Sequence, residues 1–217
     1  MKRILLAAVS AAGVLTLAAC GSSGGSAQHS SSSGMSSGSM SSGMAMPGGS
    51  TSAAGSAASG PHNSADAAFA ADMIPHHAQA IEMADMALAK ATTTTVRTFA
   101  ATIKAAQAPE IATMSGWLAG WNSPVPNTSM NPGMPGMTMP GMMSAADMQT
   151  LSKTTGPAFD KLWVQMMIQH HTGAIAMAKT ELAQGQNAQA KSLAQSIITS
   201  QSSEITQFRK LLPTLGS

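Results

Sequence analysis

The chain reads as all-α: a four-helix bundle made of two duplicated helical hairpins joined by a long Met/Pro/Gly-rich crossover. Three observations predict it. No segment shows the two-residue alternation of a half-buried strand. Four long stretches repeat apolar residues on steps of three and four, the period of an amphipathic helix. A unit of about 60 residues then recurs, without a gap, 94 positions later (170 − 76 = 94).

The recurrence is densest where the chemistry is. Met73-Ile74-Pro75-His76-His77 returns as Met167-Ile168-Gln169-His170-His171. Four of the six histidines of the chain stand in these two phrases, so most of its imidazole is placed by the duplication. Around them Asp66 matches Asp160, Phe69 matches Trp163, Met83 matches Met177 and Ala84 matches Ala178. Farther on, Ile103 matches Ile197, Gln107 matches Gln201 and Glu110 matches Glu204.

Residues 1–19 read as a signal peptide. Lys2 and Arg3 precede an apolar run from Ile4 to Leu17. That run is shorter than the ~20 residues a spanning helix needs. Leu17-Ala18-Ala19-Cys20 resembles a bacterial lipobox, which implies cleavage before Cys20 and lipid on its thiol. Cys20 is the sole cysteine, so the mature chain has no free thiol and no disulfide. Residues 20–63 are Ser, Gly and Ala with scattered Met, too poor in apolar surface to offset ordering, and read as a lipidated flexible tether.

The bundle is expected over 64–217, with repeat 1 at about 65–119, a crossover at 120–157 and repeat 2 at about 158–212. The first helix is expected from about residue 65 to 90, with Ser64 as its N-cap. The Thr92–Thr95 run marks a turn, and the second helix follows to about residue 119, with Pro109 expected to kink it or loosen a turn. Pro-Gly pairs over 122–143 forbid regular structure there. Gly156-Pro157 opens the third helix, Gly185 closes it, and the fourth runs from about 187 to a stop at Pro213.

Laid on helical steps, the first helix has one stripe of Asp66, Phe69, Met73, His76, Ala80, Met83 and Ala87. Beside it run Ala70, Ile74, His77, Ile81, Ala84 and Leu88. The third helix repeats both, as Asp160, Trp163, Met167, His170, Ala174 and Met177 beside Val164, Ile168, His171, Ile175, Ala178 and Leu182. Both histidine pairs therefore face the core. The inward stripes of the second and fourth helices carry Gln107 with Glu110, and Gln201 with Glu204. A hairpin turning near residues 92–93 sets Glu110 level with His76 and His77, with Met114 near Met73. One turning near 186–187 sets Glu204 level with His170 and His171.

Histidine on one core face is more often structural, hydrogen-bonded to a carboxylate, than a ligand. Methionine fills irregular gaps in cores. Two features shift the balance. The His, Met and Glu set recurs, and the nineteen methionines of the chain crowd the tether and crossover, where core packing does not explain them. Thioether sulfur favours Cu(I), and imidazole suits copper, zinc and nickel. The residues thus point to copper, as Cu(I) or Cu(II), held by His76, His77, His170 and His171 with sulfur from Met73, Met83, Met167 and Met177. Glu110 and Glu204 would orient the imidazoles or bind Cu(II). Met-rich segments would act as low-affinity collectors.

Other classes fare worse. Without Lys2 and Arg3 the chain has nine basic and nine acidic residues (11 − 2 = 9), which gives no electrostatic case for nucleic acid or an anionic membrane. Membrane attachment would come from the lipid alone. A nucleophile elbow is absent, and no catalytic motif is recognised. A carboxylate-bridged metal oxidase would use Glu-x-x-His, which does not occur. A non-metal cell-surface module with His–Glu pairs as core glue remains the other alternative.

The phrase Met-Ile-x-His-His, followed by Ala-Ile-x-Met-Ala and later by Gln-x-x-Glu-Ile, resembles the bacterial family called domain of unknown function 305. The resemblance covers both copies and implies a ferritin-like helical bundle, secreted or lipid-anchored, associated with periplasmic copper binding and copper tolerance. It carries the motif onto Met73, His76, His77, Met83, Gln107 and Glu110, and onto Met167, His170, His171, Met177, Gln201 and Glu204. Gln169 departs from the family's usual proline, which changes a backbone constraint and no donor.

Overall fold

The computed structural model describes residues 60–128 and 139–215. Four long helices form the bundle: α1 (Ser64–Lys90), α2 (Thr94–Gly120), α4 (Gly156–Gln184) and α5 (Ala188–Leu211). A short α3 (Ala145–Lys153) lies in the crossover, and a 3-10 turn (Leu212–Thr214) follows α5. Among the described residues there is no strand, and no helix is long and apolar enough to cross a membrane. The expected signal peptide, Cys20 and nearly all of the tether lie outside the described residues, as do Met130, Met134 and Met137.

Asn63, not Ser64, caps α1. Its side chain accepts from the amides of Ala65 and Asp66, and Asp66 returns the bond to the Asn63 amide, a closed capping box. Ser64 is the first helical residue. α2 runs on through Pro109 without a break, and α1 does the same through Pro75. The unforeseen α3 is nucleated by a second box, Ser144 with Asp147, and buries Met148 and Leu151 one turn apart.

α1 pairs with α2, α4 pairs with α5, and α1 lies against α4. The last pairing is antiparallel. Asp66, at the start of α1, accepts from the amides of Gln186 and Asn187 in the α4–α5 turn at 3.0 and 2.8 Å. Asp160, at the start of α4, accepts from the amides of Thr92 and Thr93 in the α1–α2 turn at 2.9 and 2.8 Å. Burial raises both carboxyls, but these donors outweigh it and hold each below the usual carboxylate range.

Two apolar clusters fill the interior. One joins Met83, Ala84, Val96, Ile103, Trp163, Met167 and Phe208. The other joins Phe69, Met73, Ile74, Met114, Trp117, Ala174 and Ile197. Each takes the end of one hairpin and the start of the other, as a two-fold relation between the copies requires. The expected apolar face is narrower than its sequence suggested. Leu88 is 40% exposed, and Ile81, Ile168, Ile175, Leu182 and Met177 are only partly buried. Alanine fills many buried sites, which lets the helices approach closely and turns the flanking aliphatics outward.

Candidate metal centre

Between the two clusters every long helix contributes polar residues. α1 gives His76, His77 and Gln79, α2 gives Gln107 and Glu110, α4 gives His170 and His171, and α5 gives Gln201 and Glu204. The four histidines are 0% exposed. The rings of His76 and His170 lie 3.8 Å apart between centroids, tilted by 39°. These two residues are equivalents in the duplication, so the two-fold relation passes between them. The two His pairs therefore meet in one layer.

The carboxylates take the depth that the hairpin arithmetic gave them. His77 Nε2 lies 2.6 Å from Glu110 Oε2, and His171 Nε2 lies 2.7 Å from Glu204 Oε2. His76 Nε2 lies 3.2 Å from the carbonyl oxygen of Pro140. A carbonyl or ionised carboxylate only accepts, so in all three rings Nε2 carries the hydrogen. That tautomer leaves Nδ1 as the basic nitrogen. None of the four Nδ1 atoms has a hydrogen-bond partner, and His170 Nε2 has none either.

The amide oxygens of Gln107 and Gln201 are also buried without a partner. Seven of the ten such side-chain atoms among the described residues thus fall in this one layer. Each costs about 1–3 kcal/mol if nothing fills the place. Burial, reinforced by the neighbouring His77, pushes the His76 imidazole down to about 3. Burial and the neighbouring His76, His171 and His77 hold His170 well below its ordinary value. Both rings are therefore neutral at neutral pH, with lone pairs open to a Lewis acid.

The thioethers are divided. Met83 and Met167 belong to one apolar cluster, and Met73 belongs to the other with the half-buried Met177 against it. Met73 and Met167 each stand three residues before a core histidine, on the same helical face. Among the described residues no three His, Cys, Asp or Glu side chains already converge on a common point. A metal would draw its ligands together by side-chain rotation.

Two partners escaped the sequence. Gln79 bonds the backbone of Met143, and Pro140 caps His76. Both contacts come from the crossover, whose path no periodicity encodes.

A family model, "Domain of unknown function (DUF305)", matches residues 66–212. The chain belongs to the DUF305 family. A family structure from Streptomyces coelicolor, described as a secreted protein, is 35% identical, with 70% of this chain and 94% of that chain covered and a TM-score of 0.63. A DUF305 fragment from Deinococcus radiodurans is 29% identical, with 72% and 100% covered and a TM-score of 0.64. CopM in its Cu(II)-bound form is 33% identical, with 69% and 96% covered and a TM-score of 0.60. No curated protein matches the chain.

Proposed function

We propose that this protein binds copper as cargo in its central histidine layer, outside the cytoplasm, to buffer, store or pass on the metal without catalysis. The carrying observation is the set of buried, partnerless Nδ1 atoms on His76, His77, His170 and His171. Metal-bound histidine commonly gives its other ring N–H to a carboxylate or a carbonyl, which is the arrangement His77, His171 and His76 already have. Glu110 and Glu204 are then orienting groups for Cu(I) and further oxygen donors for Cu(II). Met73 and Met167, one helical turn away, are the nearest soft donors in sequence, with Met83 and Met177 farther out.

The likeness to CopM, whose structures include Cu(I)-bound and Cu(II)-bound forms, supports copper over zinc. The secreted relative and the signal-like start of the chain support an extracytoplasmic site, with Cys20 as lipid anchor. The competing reading, a structural His–Glu core, draws on the two carboxylate pairs and on the absence of a converged ligand set among the described residues. Metal analysis separates the two. Purified protein offered Cu(I) or Ag(I) retains metal after desalting, and His76→Ala with His170→Ala abolishes retention by the folded domain. If wild type retains none and the double variant changes only the melting temperature, the structural reading stands.

A further inference from the structure

The duplication makes positions 79 and 173 equivalent (173 − 79 = 94), yet they hold Gln79 and Gly173. The crossover runs over both. Gln79 Nε2 donates to the Met143 carbonyl at 2.9 Å, and the Met143 amide donates to Gln79 Oε1 at 2.7 Å. This two-bond clamp is buried. On the other helix a Cβ at Gly173 would collide with the Pro140 carbonyl. A Cβ at Gly141, at φ +80°, would in turn come within 2.8 Å of the α4 backbone, so the two glycines interlock. Pro140, one residue before Gly141, places its carbonyl on His76. No described crossover residue caps His170, the equivalent of His76, which has the His76 backbone beside it instead.

We propose that residues 139–143 are a strap that gates the histidine layer, and that Gln79 is its latch. Gln79 is a positioning residue: it holds the strap closed and, through Pro140, holds His76 in orientation. The inference rests on the copper reading of this layer.

The choice of moving part follows from what each opening would disturb. The four histidines are wholly buried, so a metal ion enters only if something moves. Separating the long helices would expose both apolar clusters to water. Lifting the strap breaks three hydrogen bonds and uncovers Met143. The strap belongs to no helix, so no helical ladder is lost when it lifts. Its departure uncovers His76 on the side where Met139 and Met142 flank Pro140 and Gly141.

The test is Cu(I) exchange between the protein and the chromophoric chelator bathocuproine disulfonate, for wild type and Gln79→Met. The substitution keeps side-chain length and removes both clamp bonds. Uptake and release are expected to accelerate together by roughly 5- to 50-fold, the factor set by losing one or two net hydrogen bonds, with affinity changing less than either rate. A purely structural role for Gln79 would lower the melting temperature and leave both rates unchanged, which overturns the gate. If wild type takes up no Cu(I), the copper reading falls and the gate with it. Equal rates with Cu(I) bound remove the gate alone. Should Gln79→Met fail to fold, hydrogen exchange in metal-free wild type decides. The gate requires the Met143 amide to exchange much faster than those of Ala80 and Ala174, and equal protection overturns it.

Discussion

Asp66 and Asp160 hold equivalent places in the two copies, and each serves the turn of the other copy. Asp160 accepts three bonds, from the Thr92 amide, the Thr92 hydroxyl and the Thr93 amide. Asp66 serves the α4–α5 turn as well as its own capping box. The hairpins are thereby locked at both ends of the α1–α4 contact, with the histidine layer between. Asp160→Ala strands two backbone donors and is expected to cost about 3–5 kcal/mol, read from urea unfolding. A loss under 1 kcal/mol would mean the turn bonds to water as readily.

Glu110→Ala is expected to act on stability and on metal together. It removes the acceptor of the fully buried His77 Nε2–H, at a cost of about 1–3 kcal/mol. It also frees the ring to change tautomer, which should weaken metal binding by roughly 10- to 100-fold. Unfolding curves and a competitive Cu(I) titration check the two effects separately. Unchanged affinity in a destabilised variant would make Glu110 core glue only.

Glu181 gives a pH signature. It is 1% exposed beside Asp66, and its equivalent in the first copy is Ala87 (181 − 94 = 87). Burial, then Asp66, pushes its carboxyl up from 4.5 to about 8. A raised folded-state value means the protonated form is favoured by folding. This contribution is complete below pH 4.5 and is lost as pH rises toward 8. Metal-free wild type should therefore lose stability relative to Glu181→Gln across that window. Denaturation midpoints at pH 5, 7 and 9 measure the difference, and a pH-independent gap would contradict it.

Leu88 tests the corrected face of α1. At 40% exposed it should accept Leu88→Lys within about 0.5 kcal/mol, whereas the stripe read from the sequence would make that change severe. Thermal melting of the variant suffices.

Much of this molecule was legible because the duplication made it so. One spacing fixed the His, Met and Glu equivalences, and helical phase sent both histidine pairs inward. Turn positions then brought Glu110 to His77 and Glu204 to His171, within about two residues of the level expected. What escaped was short or long-range. The Asn63 and Ser144 capping boxes were readable as Asn-x-x-Asp and Ser-x-x-Asp, and the second, with Met148 and Leu151, would have found α3. No local pattern announces that Asp66 reaches residue 187, or that Pro140 rests on His76, because both contacts join segments more than 60 residues apart.

The central claim is that the four buried Nδ1 atoms are the metal-binding face of the bundle. Long-range 1H–15N spectra of histidine-labelled protein, recorded during titration with diamagnetic Ag(I), read each ring nitrogen directly. The account predicts Nε2–H tautomers for His76, His77 and His171 in the metal-free protein. It further predicts that Ag(I) shifts the Nδ1 resonances of His76, His77, His170 and His171 and leaves the Nε2–H of His77 and His171 in place. Core histidines that stay unmoved while only His62 or the methionines respond would contradict it.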